Sequence, residues 1–172
     1  MSEILKHTPE KREMLDDNAR KFVTEPIDPR FLEENSATSF DLIVDWLEIG
    51  DNNEKKVAYK KFDNGEVQIL LISKITKDGK RTSGKEKITE EKYQELLDSS
   101  ILHLEKKRHE FEYAQNGITF SMKYDEFGSR ELNLLEVDAS SEEKRDTFQP
   151  VDFPNRLDEV TGDLKYYGPR IV

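Results

Sequence analysis

Two carboxylates two residues apart, Glu136 and Asp138, lie in the alternating run Leu134-Leu135-Glu136-Val137-Asp138. Read as a strand, the run puts both acids on one face and Leu135 and Val137 on the other. Crowded carboxylates repel unless a divalent cation, a basic neighbour or open water relieves them. Bases with the same two-residue spacing occur upstream. Lys106, Arg108, Glu110 and Glu112 share a face against Phe111 and Tyr113, and Arg81, Ser83, Lys85 and Lys87 share another. Thr119, Ser121 and Lys123 lie opposite Ile118, Phe120, Met122 and Tyr124. A solvated strand face shows this alternation with no further function. A face carrying both charge signs also suits a polyphosphate: bases hold its oxygens, and carboxylates hold divalent cations that bridge to them.

The elements that position these residues are set by turns. Asn64-Gly65, Asp78-Gly79 and Asn116-Gly117 are two-residue signals of the type I′ hairpin. They join strands at 55–62 and 66–74, at 66–74 and 80–88, and at 101–113 and 118–124. The stretch 40–49 is a further strand, and Phe31-Leu32 starts a short helical turn. Thr89 caps a helix over 90–97 with acids in its first turn, and Ser140-Ser141-Glu142-Glu143 opens a second that runs to about Phe148. Thr8-Pro9 could cap a helix over 9–19, but its apolar content is thin, so 1–16 reads as a polar arm and 17–172 as the domain. The expected fold is α+β: an antiparallel meander of about eight strands with flanking short helices, closed into a barrel to remove its sheet edges.

Composition narrows the classes of partner. The chain has 172 residues, 34% hydrophobic and 37% charged, with a net charge of −10. That balance argues against a duplex nucleic acid or an anionic membrane as ligand, since both demand a basic surface. No cysteine occurs, which removes thiolate metal sites and thiol catalysis and suits a reducing cytoplasm. No apolar run approaches the ~20 residues that span a bilayer. His7, His103 and His109 have no metal-ligand spacing; His109 should face outward with Phe111 as a surface or packing residue, and Trp46 should be core.

The C-terminal third resembles a known family. Glu136-Val137-Asp138, the helix headed by Ser-Ser-Glu-Glu, Phe148, Pro150, Asp152-Phe153 and then Glu159-Val160-Thr161-Gly162-Asp163 with Tyr166 are similar to the end of the CYTH family. These are the triphosphate tunnel metalloenzymes, which include class IV adenylate cyclases, thiamine triphosphatases and inorganic triphosphatases. Upstream, Trp46-Leu47 matches a family strand, and Lys60, Lys74 and Arg81 fall near the family's tunnel bases. Lys106-Lys107-Arg108 resembles its Lys-x-Arg strand. The resemblance implies an eight-stranded tunnel that binds a triphosphate with Mg²⁺ or Mn²⁺. It makes Lys21, Lys60, Lys74, Arg81, Lys85, Lys106, Arg108 and Lys123 the phosphate contacts and Glu136 and Asp138 the metal ligands, with Asp17, Glu110 and Glu112 as substitutes.

The departures from the pattern point one way. The family opens with Glu-x-Glu-x-Lys; Asp17-Asn18-Ala19-Arg20-Lys21-Phe22 keeps Lys21 and Phe22 but has Ala19 for the second acid. Glu3-Ile4-Leu5-Lys6 is no better, with Leu5 in that place. Arg-x-Glu-x-Glu reads Arg81-Thr82-Ser83-Gly84-Lys85, Glu86 falls on the opposite face, and the usual Asp before the last hairpin is matched to Lys123. Two of the positions where metal ligands are expected thus hold bases, Lys85 and Lys123. The first expectation is a barrel that binds a nucleotide or other polyphosphate with reduced or no catalysis, with a metal or independent of one. The second is an active metal-dependent triphosphatase or, further off, a cyclase. The third is a protein-interaction scaffold.

Overall fold

The structure, a computed structural model, describes residues 19–166 and 168–171, without the side chains of Lys80, Arg81 and Ser129. The expected polar arm, all but the last residue of the helix expected over 9–19, and Asp17 lie outside the described residues. Among the described residues nine strands form one sheet: β1 (Arg20–Thr24), β2 (Thr38–Ile49), β3 (Asn53–Phe62), β4 (Val67–Lys77), β5 (Lys80–Lys87), β6 (Leu102–Gln115), β7 (Ile118–Phe127), β8 (Leu132–Asp138) and β9 (Leu157–Glu159). Short helices α1 (Pro29–Glu34), α2 (Glu90–Leu97), α3 (Glu142–Arg145) and α4 (Gly168–Ile171) accompany them. The hydrogen-bonded order is β5-β4-β3-β2-β6-β7-β8-β1-β9. The order is linear, with β5 and β9 at its ends, so the ladder is open and has nine strands where a closed eight-stranded barrel was expected. The additional strand, β9, was not read from the sequence and pairs with β1 through Phe22↔Glu159 and Thr24↔Leu157.

The turn signals gave the hairpins. Asp78 and Gly79 (φ 53° and 76°) and Asn116 and Gly117 (φ 52° and 78°) both take the left-handed pair that a type I′ turn requires. Asn64-Gly65 differs. Only Gly65 is at positive φ (91°), and its N–H donates to Phe62 O at 2.9 Å, while Asn64 Oδ1 accepts from the Glu66 N–H. This is a longer loop in which the asparagine side chain closes the turn and glycine makes the bulge. Both helix caps behave as expected: Thr89 Oγ1 accepts from Lys92 N–H and Ser141 Oγ from Lys144 N–H, each at 3.1 Å. The second helix stops at Arg145 rather than near Phe148, because α3 buries none of its own residues and has no packing to extend it.

The chain divides into two compact units, with β2 and β6 contributing to both. In the unit built from Asp41–Glu105 and the 164–171 segment, β3, β4 and β5 pair in unbroken antiparallel register. Val57, Ile69 and Tyr93 form its buried cluster, which brings α2 onto one sheet face together with Tyr59 and Leu71. On the other face Trp46, fully buried as expected, donates its indole N–H to Glu54 at 3.0 Å. A Cβ on Gly168 would come within 3.0 Å of the Trp46 ring, so glycine lets α4 approach closely.

In the unit built from 19–40 and Lys106–Asp163, the core is aromatic. Phe22, Phe111, Phe120, Met122, Tyr124, Leu135, Val137, Phe148 and Phe153 are buried together. Phe148 meets Phe22 and Phe120 edge-on at 5.6 and 5.3 Å. Full burial of a ring of this size contributes roughly 1.5–3 kcal/mol. His109 shares the face of Phe111, as expected, and serves packing: it stacks on Tyr124 at 5.4 Å with Nδ1 2.6 Å from Ser39 Oγ.

His103 is held differently. Its Nδ1 lies 2.8 Å from Oδ1 of buried Asp45, which also accepts from Ser100 Oγ, and its Nε2 lies 3.3 Å from Glu105. The hydrogen bond to Asp45 raises the His103 pKa above its ordinary value of 6.5, against the opposing effect of burial. A raised folded-state value means the extra stability is fully present below about pH 6.5 and disappears as pH rises through the folded-state pKa. The expected outcome is an imidazole titration by NMR displaced above ~6.5. The stability advantage over His103→Gln, under ~1 kcal/mol because the ring is half exposed, should shrink with rising pH in urea unfolding.

Candidate functional site

The charged face of β6, β7, β8 and β1 is a ladder whose rungs are set by register. One rung runs Glu110↔Lys123↔Glu136↔Lys21 across the four strands, with charge alternating at each step. The next rung places Arg108 opposite Asp125. A third runs Glu112↔Ser121↔Asp138. Two-residue alternation thus placed Lys106, Arg108, Glu110, Glu112, Lys123, Glu136 and Asp138 on one face, and the strand pairing brings Lys21 to them.

Asp125 is the residue that organises the bases. Its side chain is 3% exposed. It accepts two hydrogen bonds from Arg108, Nε to Oδ1 and Nη2 to Oδ2, each 2.7 Å, and Lys106 Nζ lies 3.0 Å from Oδ2. Burial alone would raise the Asp125 pKa, but Arg108 and Lys106 hold the carboxyl well below the usual carboxylate range. Arg108 is pushed up from its ordinary value by the same pairing, against burial, whereas burial and the neighbouring Arg108 lower Lys106. The fork geometry commits two guanidinium nitrogens to Asp125 and leaves Nη1 available. Lys106 commits one of its three N–H donors.

Glu136 is coupled more loosely. Lys21 Nζ lies 3.7 Å from Glu136 Oε1, and the glutamate side chain retains 27% of its exposure. Burial raises its pKa, and Lys21, Arg108 and Lys106 together bring it below the ordinary value. Lys21 is positioned from behind by the C-terminal segment. Its N–H donates to Thr161 Oγ1 at 2.9 Å and its carbonyl accepts from Val160 N–H at 2.8 Å. Next to it, Arg20 grips Glu159 with two 2.9 Å hydrogen bonds and lies over the Phe22 and Phe148 rings at 5.2 and 5.9 Å. The Glu159-Val160-Thr161 segment therefore acts on the charged face by fixing β1.

The other named bases lie in the other unit. Lys74 stands opposite Glu54 and Ser83, Lys60 opposite Gln68, and Lys85 opposite Ile72. Arg81 is opposite Thr76 in the same unbroken register. No bulge interrupts β5, so Glu86, opposite Leu71, stays off the Lys85 face, as its sequence position implies.

Two features of the candidate site escaped the sequence. Asp125 follows Lys123 by two residues and shares its face, but the strand was expected to end at Tyr124. The family's acid before the last hairpin was assigned to Lys123. Continuing the alternation one more pair, to Phe127, would have found it. The roles of Arg20, Glu159 and Thr161 depend on pairing between segments almost 140 residues apart, and no local signal carries that.

Among the described residues no three His, Asp or Glu side chains are disposed to hold a metal ion. Glu136 faces Lys21, Asp125 is committed to Arg108 and Lys106, and Asp138 Oδ1 accepts from the Ala139 N–H at 2.8 Å. This donor set does not fit a multidentate Mg²⁺ or Mn²⁺ centre, and the cations built into the face are ammonium and guanidinium groups.

No protein-family profile matches the chain, and no curated protein matches it in sequence. The fold is shared with solved structures. The crystal structures of the hypothetical protein NE1496 and of the inorganic triphosphatase NE1496 match with a TM-score of 0.60 and 20% sequence identity, over 89% of this chain and 95% and 94% of theirs. The likeness is of architecture. Among the described residues no helix is long and apolar enough to cross a membrane.

The Asp125 cluster sets a stability prediction. Asp125→Asn leaves Lys106 and Arg108 buried without their counter-charge and should cost about 3–5 kcal/mol in urea unfolding. Lys123→Gln should stay within about 0.5–1 kcal/mol of wild type. Because the folded Asp125 pKa is depressed, its contribution is present above about pH 4 and is lost as pH falls through the folded-state value. Acid unfolding of the wild type should therefore be late, and the variant should not show that dependence.

Proposed function

We propose that the protein binds a polyphosphorylated anion, a nucleotide or an inorganic polyphosphate, on the charged face of β1, β6, β7 and β8, with reduced or no hydrolysis. The observation that carries this reading is Asp125 holding two buried cations in fixed geometry, with the Arg108 Nη1 and two Lys106 N–H donors left to serve a ligand. Preset donors of this kind lower the ordering cost of anion binding. Lys21 and Lys123 are the second pair of phosphate contacts. Lys60, Lys74, Arg81 and Lys85, named as phosphate contacts from the sequence, belong to β3–β5 of the other unit and are not part of the face proposed here. The fold shared with a protein described as an inorganic triphosphatase supports a triphosphate as the ligand class. Asp125 is a positioning residue here, since it acts through Arg108 and Lys106.

Hydrolysis of a phosphoanhydride needs strong polarisation at the bridging oxygen and an activated water. Asp125 is committed to Arg108 and Lys106 and Glu136 faces Lys21, which supports binding over turnover. The same structural likeness favours a second reading, a divalent-metal-dependent triphosphatase using Glu136 and Asp138, with Asp17, Glu110 or Glu112 as further ligands.

Isothermal titration calorimetry with tripolyphosphate and ATP, with and without Mg²⁺, tests the binding reading. Saturable binding is expected, and Lys106→Gln should weaken it about tenfold, the loss of one charge-assisted hydrogen bond. Absence of saturable binding for both ligands in both conditions would overturn it. Phosphate release that requires Mn²⁺ or Mg²⁺ and vanishes in Glu136→Gln would establish the second reading instead.

A further inference from the structure

We propose that the outer edge of β5 docks an extended acidic segment of a partner protein, which adds to the sheet as a further strand with acids at two-residue spacing. The inference is independent of the polyphosphate reading and concerns the other unit. β5 ends the hydrogen-bonded order, and no strand lies beyond it among the described residues. Thr82 to Lys87 are exposed throughout.

The ladder decides which backbone groups the edge offers. Ile88 N–H donates to Ile69 O at 3.1 Å, and the register continues unbroken from Leu70↔Lys87 to Lys77↔Lys80. Antiparallel pairs alternate between bonded and non-bonded positions. Thr82, Gly84 and Glu86 therefore commit their N–H and C=O groups to β4, while Ser83, Lys85 and Lys87 turn theirs outward. The side chains of these three share one face, opposite Thr82 and Glu86. A peptide strand satisfies both the donors and the acceptors of such an edge. A polyphosphate has acceptor oxygens alone and would leave the outward carbonyls unmatched.

Charge selects the peptide. The chain carries a net −10, yet residues 53–88 hold ten bases and five acids. Lys85 and Lys87 have no side-chain partner among the described residues. In a docked strand the residues opposite them would have Cβ atoms roughly 4.5–5.5 Å away, so acids two apart would form two cross-strand ion pairs. Lysines on an edge strand oppose pairing with a second copy of the same edge, because base would meet base. The same charges admit an acidic strand, so the guard against self-pairing acts as a filter for the partner.

The test uses the full-length protein and the capped peptide Thr-Glu-Val-Glu-Val-Glu-Thr. Its controls are the lysine counterpart and a scrambled peptide of equal composition with the glutamates clustered. Calorimetry should show saturable binding of the alternating glutamate peptide, about tenfold or more tighter than of either control. Amide exchange at Ser83, Lys85 and Lys87 should be fast in the free protein and slow in the complex. Ser83→Pro removes one outward N–H and no bond to β4, so it should weaken binding about tenfold with an unchanged circular dichroism spectrum. Lys85→Glu combined with Lys87→Glu should reverse the preference, from the glutamate peptide to the lysine peptide. Equal binding of the scrambled peptide, or unchanged exchange at the three amides, would mean attraction by charge alone and overturns the proposal. Slow exchange at those amides in the free protein also overturns it, since the edge would then be filled by this chain or a second copy. So does the absence of binding at millimolar peptide.

Discussion

A buried carboxylate is stable only in company, and Asp125 is the case on which the charged face depends. At 3% side-chain exposure it has almost no water to solvate it. Two hydrogen bonds from Arg108 and the Lys106 ammonium replace that hydration. Each partner is itself largely buried, so removing any one strands the others. The cluster therefore fixes the direction of β6's cations as firmly as packing fixes the Phe22–Phe148 contact on the opposite face. One sheet thus has two ordered faces, one apolar and interlocked, the other ionic and interlocked.

What made much of this legible was that it is local. A residue pair at positive φ announces itself as Asp-Gly or Asn-Gly, and both type I′ hairpins follow from those dipeptides. Two-residue alternation then assigns faces, and with faces assigned the rungs follow from register. Where local chemistry offered two outcomes, the choice was open. Asn64-Gly65 could serve a type I′ turn, yet the asparagine side chain reached the Glu66 N–H and the loop lengthened by one residue.

Part of what stayed hidden was local: Asp125 lies two residues past Lys123, opposite Arg108 in the hairpin that Asn116-Gly117 sets, and it was missed because the strand was expected to end at Tyr124. The resemblance to the CYTH pattern drew attention to Lys123 as a substitution and away from the acid beside it. Likewise Glu159-Val160-Thr161 was legible as a family mark, while its action, tethering Lys21 and Arg20, needed the β1–β9 pairing. The nine-stranded open order has the same origin: β9 has three residues, too few for any periodicity, and exists because β1 offers an edge.

The ion pairs on the charged face fall into two kinds, and the difference decides where a ligand would enter. Arg108 and Asp125 meet at 2.7 Å in a bidentate fork closed off from water. Lys21 and Glu136 meet at 3.7 Å with the glutamate still partly hydrated. An anion competing with Asp125 would have to break charge-assisted hydrogen bonds in a low-dielectric setting and leave a buried carboxylate behind. An anion competing with Glu136 exchanges one loose contact for another and releases a carboxylate that can turn toward water. The tight pair is therefore the frame and the Lys21–Glu136 pair the weaker contact, so on the binding proposed above an anion would displace Glu136 more readily than Asp125.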